Sequence, residues 1–321
     1  MSTAPDVSVI LCTHNPRADY LGRVLESLRQ QSLPVERWEL LLVDNKSNTP
    51  LHGLHDLSWH PRGRHIREEE LGLTAANLRG IREAAADLIV FVHDDNVLAP
   101  DYLQVSLDIL DRMPWMGAFN GSTVGEYEVP LPAWASMMPI QLAVREIKQA
   151  AWGCRPGTQS LPFAPVGAGM VIRKSVAELY ARKVGADKVR QALGRKGGVL
   201  SSGEDSDMAF CACELGYAVG VFPELSLLHL MPKERLQRAY LLKLGEGMAF
   251  SHAVLRYIWD NTLPPDPRSR KECRSTRVFN AYSRLRTRLR GNEYQLFEEE
   301  LGEAVQQGNL LAHEFVASLR R

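Results

Sequence analysis

No apolar run in this chain approaches the roughly 20 residues that a membrane-spanning helix needs, although 45% of its 321 residues are hydrophobic. The N-terminal stretch MSTAPDVSVILCTHN lacks the basic segment and cleavage site of a secretory leader. Cysteine is scarce. Cys12, Cys154, Cys211, Cys213 and Cys273 are an odd number with no C-x-x-C pair, and Cys211 and Cys213 stand too close together for the usual zinc spacing. Net charge is also missing: 38 Lys and Arg balance 38 Asp and Glu, so no global field draws the chain to nucleic acid. These absences disfavour a membrane span, a disulfide scaffold and a nucleic-acid binder. They leave a soluble, reduced, cytoplasmic chain as the expectation, long enough for one large domain or two ordinary ones.

What is present is a regular alternation. Val7–Cys12, Leu40–Val43, His65–Glu68 and Leu88–His93 read as strands, the second and fourth almost continuous in aliphatic residues. Strands that apolar are covered on both faces, which predicts a parallel sheet. Between them, Tyr20, Leu21, Val24, Leu25 and Leu28 recur at helical spacing, and Leu73–Ala86 is Ala-rich and helical. The expected fold is α/β, a doubly wound and mostly parallel sheet flanked by helices, whose ligands lie beyond the carboxyl ends of the strands. Polar clusters stand at those ends: Thr13-His14-Asn15-Pro16, Asp44-Asn45-Lys46-Ser47 and His93-Asp94-Asp95-Asn96. Further on, Gly167–Gly169 opens an apolar run, a helix is expected from Ser175, and Ala218–Phe222 and Leu225–His229 read as two strands. From Lys233 the chain is expected to be helical, over Arg235–Trp259, Ser269–Leu289 and Glu293–Leu319.

Asp94-Asp95 is the sharpest local signal. Two adjacent carboxylates after a buried strand repel each other, and removing each from water costs several kcal/mol. A hard cation such as Mg²⁺ or Mn²⁺ would compensate them; a helix N-cap cluster is the other reading. Glu204, Asp205 and Asp207 stand at a predicted helix start, where carboxylates suit the positive end of the dipole. One of them could equally serve as a general base toward a hydroxyl. His229, at the end of an apolar run, fits either a core histidine or a metal ligand.

VSVILCTHN, ELLLVDNKS, GLTAANLRGI, LIVFVHDDN, GAGMVI, GEDSDM and LLHLMP occur in this order over about Val7–Pro232. Together they resemble the family 2 glycosyltransferases of GT-A fold. The resemblance implies a nucleotide-sugar donor lying by Thr13 and Asn15, with Asp44 accepting a hydrogen bond from a base, typically uracil. It places Asp95 as the ligand of Mn²⁺ or Mg²⁺ and Asp94 nearer the donor ribose or sugar. Asp205 matches the catalytic base, Glu204 the neighbour that contacts the acceptor, and His229 a residue that completes the metal site. Gly167 and Gly169 would floor the donor sugar. The implied reaction is a single inverting displacement by an acceptor hydroxyl, a glycan or lipid-linked acceptor being the expected partner, in assembly of a bacterial-type surface glycan or polysaccharide. Two departures stand out. A histidine, His93, replaces the first acid of the aspartate motif, and Ala76-Asn77-Leu78-Arg79-Gly80 replaces A-R-N-x-G, leaving Arg79 as the candidate for the diphosphate. These departures keep open a binding protein of the same fold that does not catalyse. A nucleotidyltransferase is disfavoured, since no Gly-rich basic loop follows the first strand.

The expected division is a catalytic domain over 1–232, with a nucleotide half 1–121 and an acceptor half 122–232, followed by a helical region 233–321. Arg268–Arg290 carries nine basic residues against one acid, Glu272. A solvated helical hairpin and a peripheral contact with the inner membrane face both fit this run. Nucleic acid does not, because no aromatic residues alternate with the charges. A homo-oligomer also stays open.

Overall fold

The structure is a computed structural model, and it describes residues 4–138, 142–157, 162–196, 200–264, 266 and 292–320. The basic run Arg268–Arg290 and the helix expected over Ser269–Leu289 lie outside these residues.

Strand β1 (Val7–Thr13) is buried along its whole length, as is β2 (Trp38–Asn45). Side chains alternate across a strand, so Val7, Val9 and Leu11 share one core with Leu21, Val24 and Leu28 of helix α1 (Ala18–Arg29). Ile10 and Cys12 face the other core, with Ala76 and Ile81 of α2 (Leu73–Glu83). Helix α2 lies almost on the sheet: a Cβ at Gly80 would fall 2.3 Å from Ile10 Cγ2, so no other residue fits there unless the helix moves. Two cores, one per face, confirm the expected doubly wound α/β architecture.

The remaining elements are β3 (Gly63–Glu68), β4 (Leu88–His93), β5 (Asn96–Leu98), α3 (Tyr102–Arg112), β6 (Met116–Tyr127), β7 (Ala151–Gly153), β8 (Val171–Arg173), α4 (Lys174–Ala186), α5 (Lys188–Gln191), α6 (Glu204–Glu214), β9 (Ala218–Met231), α7 (Arg238–Asp260) and α8 (Glu293–Ser318). Strand order is β3-β2-β1-β4-β8-β6-β9-β5, with β7 pairing β9. The edge from β3 to β4 is parallel throughout. Beyond β4 the sheet is mixed: β8 runs antiparallel between β4 and β6, β6 and β9 are parallel, and β5 and β7 pair antiparallel with β9.

Several expectations are corrected in this second half. Ala218–Phe222 and Leu225–His229 are one strand, bent where the exposed pair Pro223-Glu224 leaves the ladder and the register with β6 shifts. Strand β6 was not visible in the sequence, and it continues through residues 121 and 122. Helix α7 begins at Arg238, after a 3₁₀ turn over Lys233–Leu236.

The C-terminal helices pack on the loop that leads into α6. Ser202 N–H donates to Ser251 Oγ on α7 (2.9 Å), and a Cβ on Gly247 would lie 2.3 Å from the Leu200 carbonyl oxygen. Trp259 Nε1, near the end of α7, donates to Asp207 Oδ1 (2.7 Å). Helix α8 crosses α7 at glycines, with Gly245 against Leu301 and Gly308 against the Glu246 carbonyl. No described helix is long and apolar enough to cross a membrane.

Candidate active site

The parallel registers set Thr13 beside Asp44 and Cys12 beside His93, so the ends of β1, β2 and β4 finish at one level. The turns that follow are stitched together. Asn15, in the left-handed region that Asn tolerates (φ 49), donates its N–H to Ser47 Oγ (2.9 Å) and accepts from Asn48 N–H at Oδ1 (2.8 Å). Asp44 is buried. It accepts from Ser47 N–H (2.9 Å), Leu51 N–H (3.1 Å) and Arg67 NH1 (2.7 Å). Burial pushes its carboxyl up, but these donors outweigh it and hold the pKa below the usual range. Arg67 was not singled out in the sequence because it stands in the middle of a charged strand, REE, with no motif around it.

Asp94 and Asp95 form the turn between β4 and β5, well before α3, so they do not cap that helix. Thr13 Oγ1 donates to Asp94 Oδ2. Register does the rest: Asn96 pairs with His229 across β5 and β9, and Leu230 N–H donates to the Asp95 carbonyl (2.8 Å). His229 Nε2 is thereby 3.4 Å from Asp95 Oδ2, and Arg235 NH1, from the 3₁₀ turn, lies 2.8 Å from the same oxygen. The two carboxyls are driven apart. Burial and the Asp95 charge raise Asp94, whereas Asp95, despite its burial, is held low by Arg235 and His229.

The three acids in the first turn of α6 diverge, and none is the N-cap, which is Gly203. Glu204 is buried against α2, accepting from Thr74 Oγ1 (2.7 Å) and Asn77 Nδ2 (2.8 Å), and burial lifts its pKa to about 7. Asp207, fully buried, accepts from Arg190 NH1 and Trp259; burial still lifts it to about 6. Of these three only Asp205 is partly exposed, and its Oδ2 accepts from Gly167 N–H (2.9 Å). A Cβ on Gly167 would meet His93 Cε1 at 3.4 Å and Asp205 Cβ at 3.6 Å, so this glycine lies between the two. Gly169 (φ +68) presses its backbone on Tyr102, whose hydroxyl donates to the Gly169 carbonyl (2.7 Å).

Arg79 does not join this group. Asn77 faces Cys12 and Glu204, and two residues further on the helix has turned by about 200°, so Arg79 pairs with Glu83 on the outer side. Arg145 and Arg235 were missed in the sequence. Arg145 is largely buried, donating to Asn120 Oδ1 (2.5 Å) and the Ala164 carbonyl (3.1 Å), and the Asp205 charge acts on it. It sits in the Glu126–Pro165 stretch, which has no periodicity to mark it.

A parallel edge joined through antiparallel β8 to a mixed half is the fold that the solved GT-A glycosyltransferases below share. Residues 8–163 match the sequence model of Glycosyl transferase family 2. That match spans just under half of the chain and marks the segment as similar to the family 2 glycosyltransferases. Solved structures share the fold at low identity. The mannosyltransferase PcManGT of Pyrobaculum calidifontis, in complex with GDP-Man and Mn²⁺, is 17% identical with a TM-score of 0.57, over 97% of this chain and 86% of that one. Residues 1–349 of S. aureus TarS, in complex with UDP-GlcNAc, are 13% identical with a TM-score of 0.50, over 98% and 92%. Against another TarS structure this chain spans 39% of that chain's length. Uncharacterized protein y4gI of Sinorhizobium fredii is 30% identical over 118 residues, which are 36% of this chain and 13% of that protein.

The donors at the β4–β5 turn fit the divalent ion that the fold implies. A carboxylate and an imidazole suit Mn²⁺, and two ligands of one octahedral ion at about 2.1 Å stand about 3 Å apart, close to the 3.4 Å between Asp95 and His229. His229 Nδ1 is buried with no hydrogen-bond partner, so the ring's other nitrogen is the one presented to the site. Among the described residues no third His, Cys, Asp or Glu joins the pair. The remaining ligands would come from substrate.

Proposed function

We propose that the protein transfers a sugar from a nucleoside-diphosphate sugar to an acceptor hydroxyl with inversion at the anomeric carbon. The observation that carries this reading is Asp205, the one acid in the first turn of α6 that is not fully buried. Its rotamer is fixed by Gly167 N–H, and it is separated from His93 at the end of β4 by a single glycine. A carboxylate placed there takes the proton from an acceptor oxygen as that oxygen attacks the sugar lying over Gly167–Gly169. The diphosphate needs no proton to leave, so one base suffices, unlike the two carboxylates of a glycosidase.

Asp95 and His229 are proposed to hold a divalent ion, Mn²⁺ or Mg²⁺, which when bound neutralises the leaving diphosphate. Asp94, fixed by Thr13, is assigned to the donor sugar or ribose. Asp44 and Arg67 present an acceptor and a donor side by side at the end of β2, and uracil, with its N3–H flanked by two carbonyls, complements both. UDP-sugars are therefore the proposed donors. GDP-sugars are the rival, since guanine also offers a ring N–H. Glu204, held on Thr74 and Asn77, is assigned to positioning Asp205's helix against α2. The proposed acceptor is a glycan or lipid-linked hydroxyl at the cytoplasmic membrane face, a reading supported by the basic run Arg268–Arg290 of the sequence.

A donor labelled in both sugar and nucleotide tests this. Transfer of the sugar label alone, abolished by Asp205→Asn, is the expected result. Transfer of the nucleotide label would make the protein a nucleotidyltransferase. Tight UDP binding with no transfer to any acceptor or to water would make it a binding protein.

A further inference from the structure

We propose that Arg235 couples metal binding to donor binding: it bridges Asp95 and His229 in the free protein, and it turns onto the donor diphosphate when a divalent ion takes that pair. The proposal rests on the donor class argued above.

Arg235 NH1 is 2.8 Å from Asp95 Oδ2 and 3.3 Å from His229 Nε2, the same two atoms that would ligate the ion. A guanidinium can only donate, so Nε2 accepts, the state that metal ligation requires. An ion held at about 2.1 Å by both atoms would fall within about 4 Å of the guanidinium nitrogen wherever it lay around the Asp95–His229 axis. A dication and a guanidinium that close repel strongly in a partly buried site. The arginine and the ion therefore exclude each other.

Displaced, Arg235 needs another anion. Its side chain is only 29% exposed, and the charges acting on it are those of Asp95 and Asp94, with Tyr240 beside them. Asp94 already accepts from Thr13. A nucleoside diphosphate arriving with the ion supplies a fresh anion at this place, and the planar guanidinium suits phosphate oxygens. The backbone does not have to move for this. The 3₁₀ turn is pinned by the Arg235 N–H bond to the Pro232 carbonyl (3.0 Å), by Lys233 N–H on Glu128 Oε2 (2.9 Å) and by buried Leu236. Only the side chain swings.

The two ligands should consequently bind together. Mn²⁺ binding, read by electron paramagnetic resonance of the free ion, and UDP and GDP binding, read by calorimetry, test this on the full chain and on Arg235→Ala. Removing the arginine should tighten Mn²⁺ alone by tenfold or more. With Mn²⁺ saturating, it should weaken UDP or GDP by roughly 10- to 100-fold, as for loss of one charge-assisted contact. Opposite signs are the signature, because a merely structural role loosens both ligands. Arg235→Gln, closer in size, must repeat both signs with an unchanged near-ultraviolet circular dichroism spectrum. Unchanged or weaker Mn²⁺ binding in both variants, or unchanged nucleotide affinity at saturating Mn²⁺, overturns the proposal. If the wild-type chain binds Mn²⁺ but neither UDP nor GDP, the donor reading falls, and the diphosphate half of this proposal with it. The Mn²⁺ arm then still decides whether Arg235 bars the pair.

Discussion

The turn after β4 and the start of α6 each crowd acids into a few residues, and they compensate them in opposite ways. At the β4–β5 turn the partners are a guanidinium and an imidazole: Arg235 and His229 around Asp95. At α6 most of the partners are neutral: Thr74 and Asn77 on Glu204, and Trp259 beside Arg190 on Asp207. The pKa directions follow. Asp95, facing a guanidinium, stays ionised although buried; Glu204, facing neutral donors, is lifted to about 7, and Asp207 to about 6 because its burial outweighs Arg190. The first region holds a charge that a ligand's cation can take over. The second withdraws two acids from solution chemistry and leaves Asp205 as the one positioned to react.

That contrast is broken most forcefully at Asp205. Asp205→Asn keeps the acceptor for Gly167 N–H and removes only basicity, so transfer should fall by roughly 10²–10⁴-fold, the usual loss for a general base, with donor affinity near normal. Turnover close to wild type would move the role to another acid. Asp95→Ala attacks the other region. It strands Arg235 and His229 without their carboxylate, and breaking a buried ion pair from one side destabilises by about 3–5 kcal/mol; because Arg235 is partly exposed, the low end is expected in a urea titration. A loss below 1 kcal/mol would mean that solvent already compensates the arginine.

Glu204→Gln sharpens the comparison through pH. In the unfolded chain Glu204 ionises near 4.5, but in the fold near 7, so the native state binds the proton more tightly. Its contribution is favourable at low pH and is lost as pH rises from about 4.5 to about 7. That difference in proton affinity is worth up to roughly 3 kcal/mol. Stability of the Gln variant, followed by thermal melts from pH 5 to 7.5, should fall less steeply than that of the wild type. Parallel curves would show that Glu204 is ionised in the fold. The smallest effect is expected at the base: Arg67→Ala should weaken UDP by about tenfold, the scale of one hydrogen bond to a charged group, and narrow the preference for UDP over ADP. An unchanged UDP/ADP ratio in competition calorimetry would remove Arg67 and Asp44 from base recognition.

The β1–β4 edge was readable because a parallel strand covered on both faces must be nearly all aliphatic, and LLLV and LIVFV announce it. The polar turns at its ends were readable for the complementary reason, since nothing in the core explains them. β6 escaped notice because Met116–Tyr127 mixes Gly117, Gly121 and Gly125 with polar residues. Gly117 and Gly121 admit Tyr217 and Leu225 at close approach, so only Met116, Ala118 and Phe119 give the strand an apolar signature of its own. At the site, Thr13, Asp94, Asp95, Gly167, Asp205 and His229 were named from the sequence, and the structure brings them to one side of the sheet junction. Arg67, Arg145 and Arg235 were not named. An arginine's reach is several ångströms from its Cα, so its partner depends on tertiary placement rather than on any local pattern.

The grip of α7 on residues 200–207 makes the C-terminal helices a mould for the loop that carries Asp205. Recombining chains of this fold by swapping everything after Pro232 would exchange the mould while keeping the casting. Gly247 would no longer match Leu200, nor Trp259 meet Asp207, and Asp205 would shift with them. In hybrids between such proteins, the crossover that preserves alignment of the base therefore falls before Leu200, so that the loop and its supporting helix are inherited as one piece.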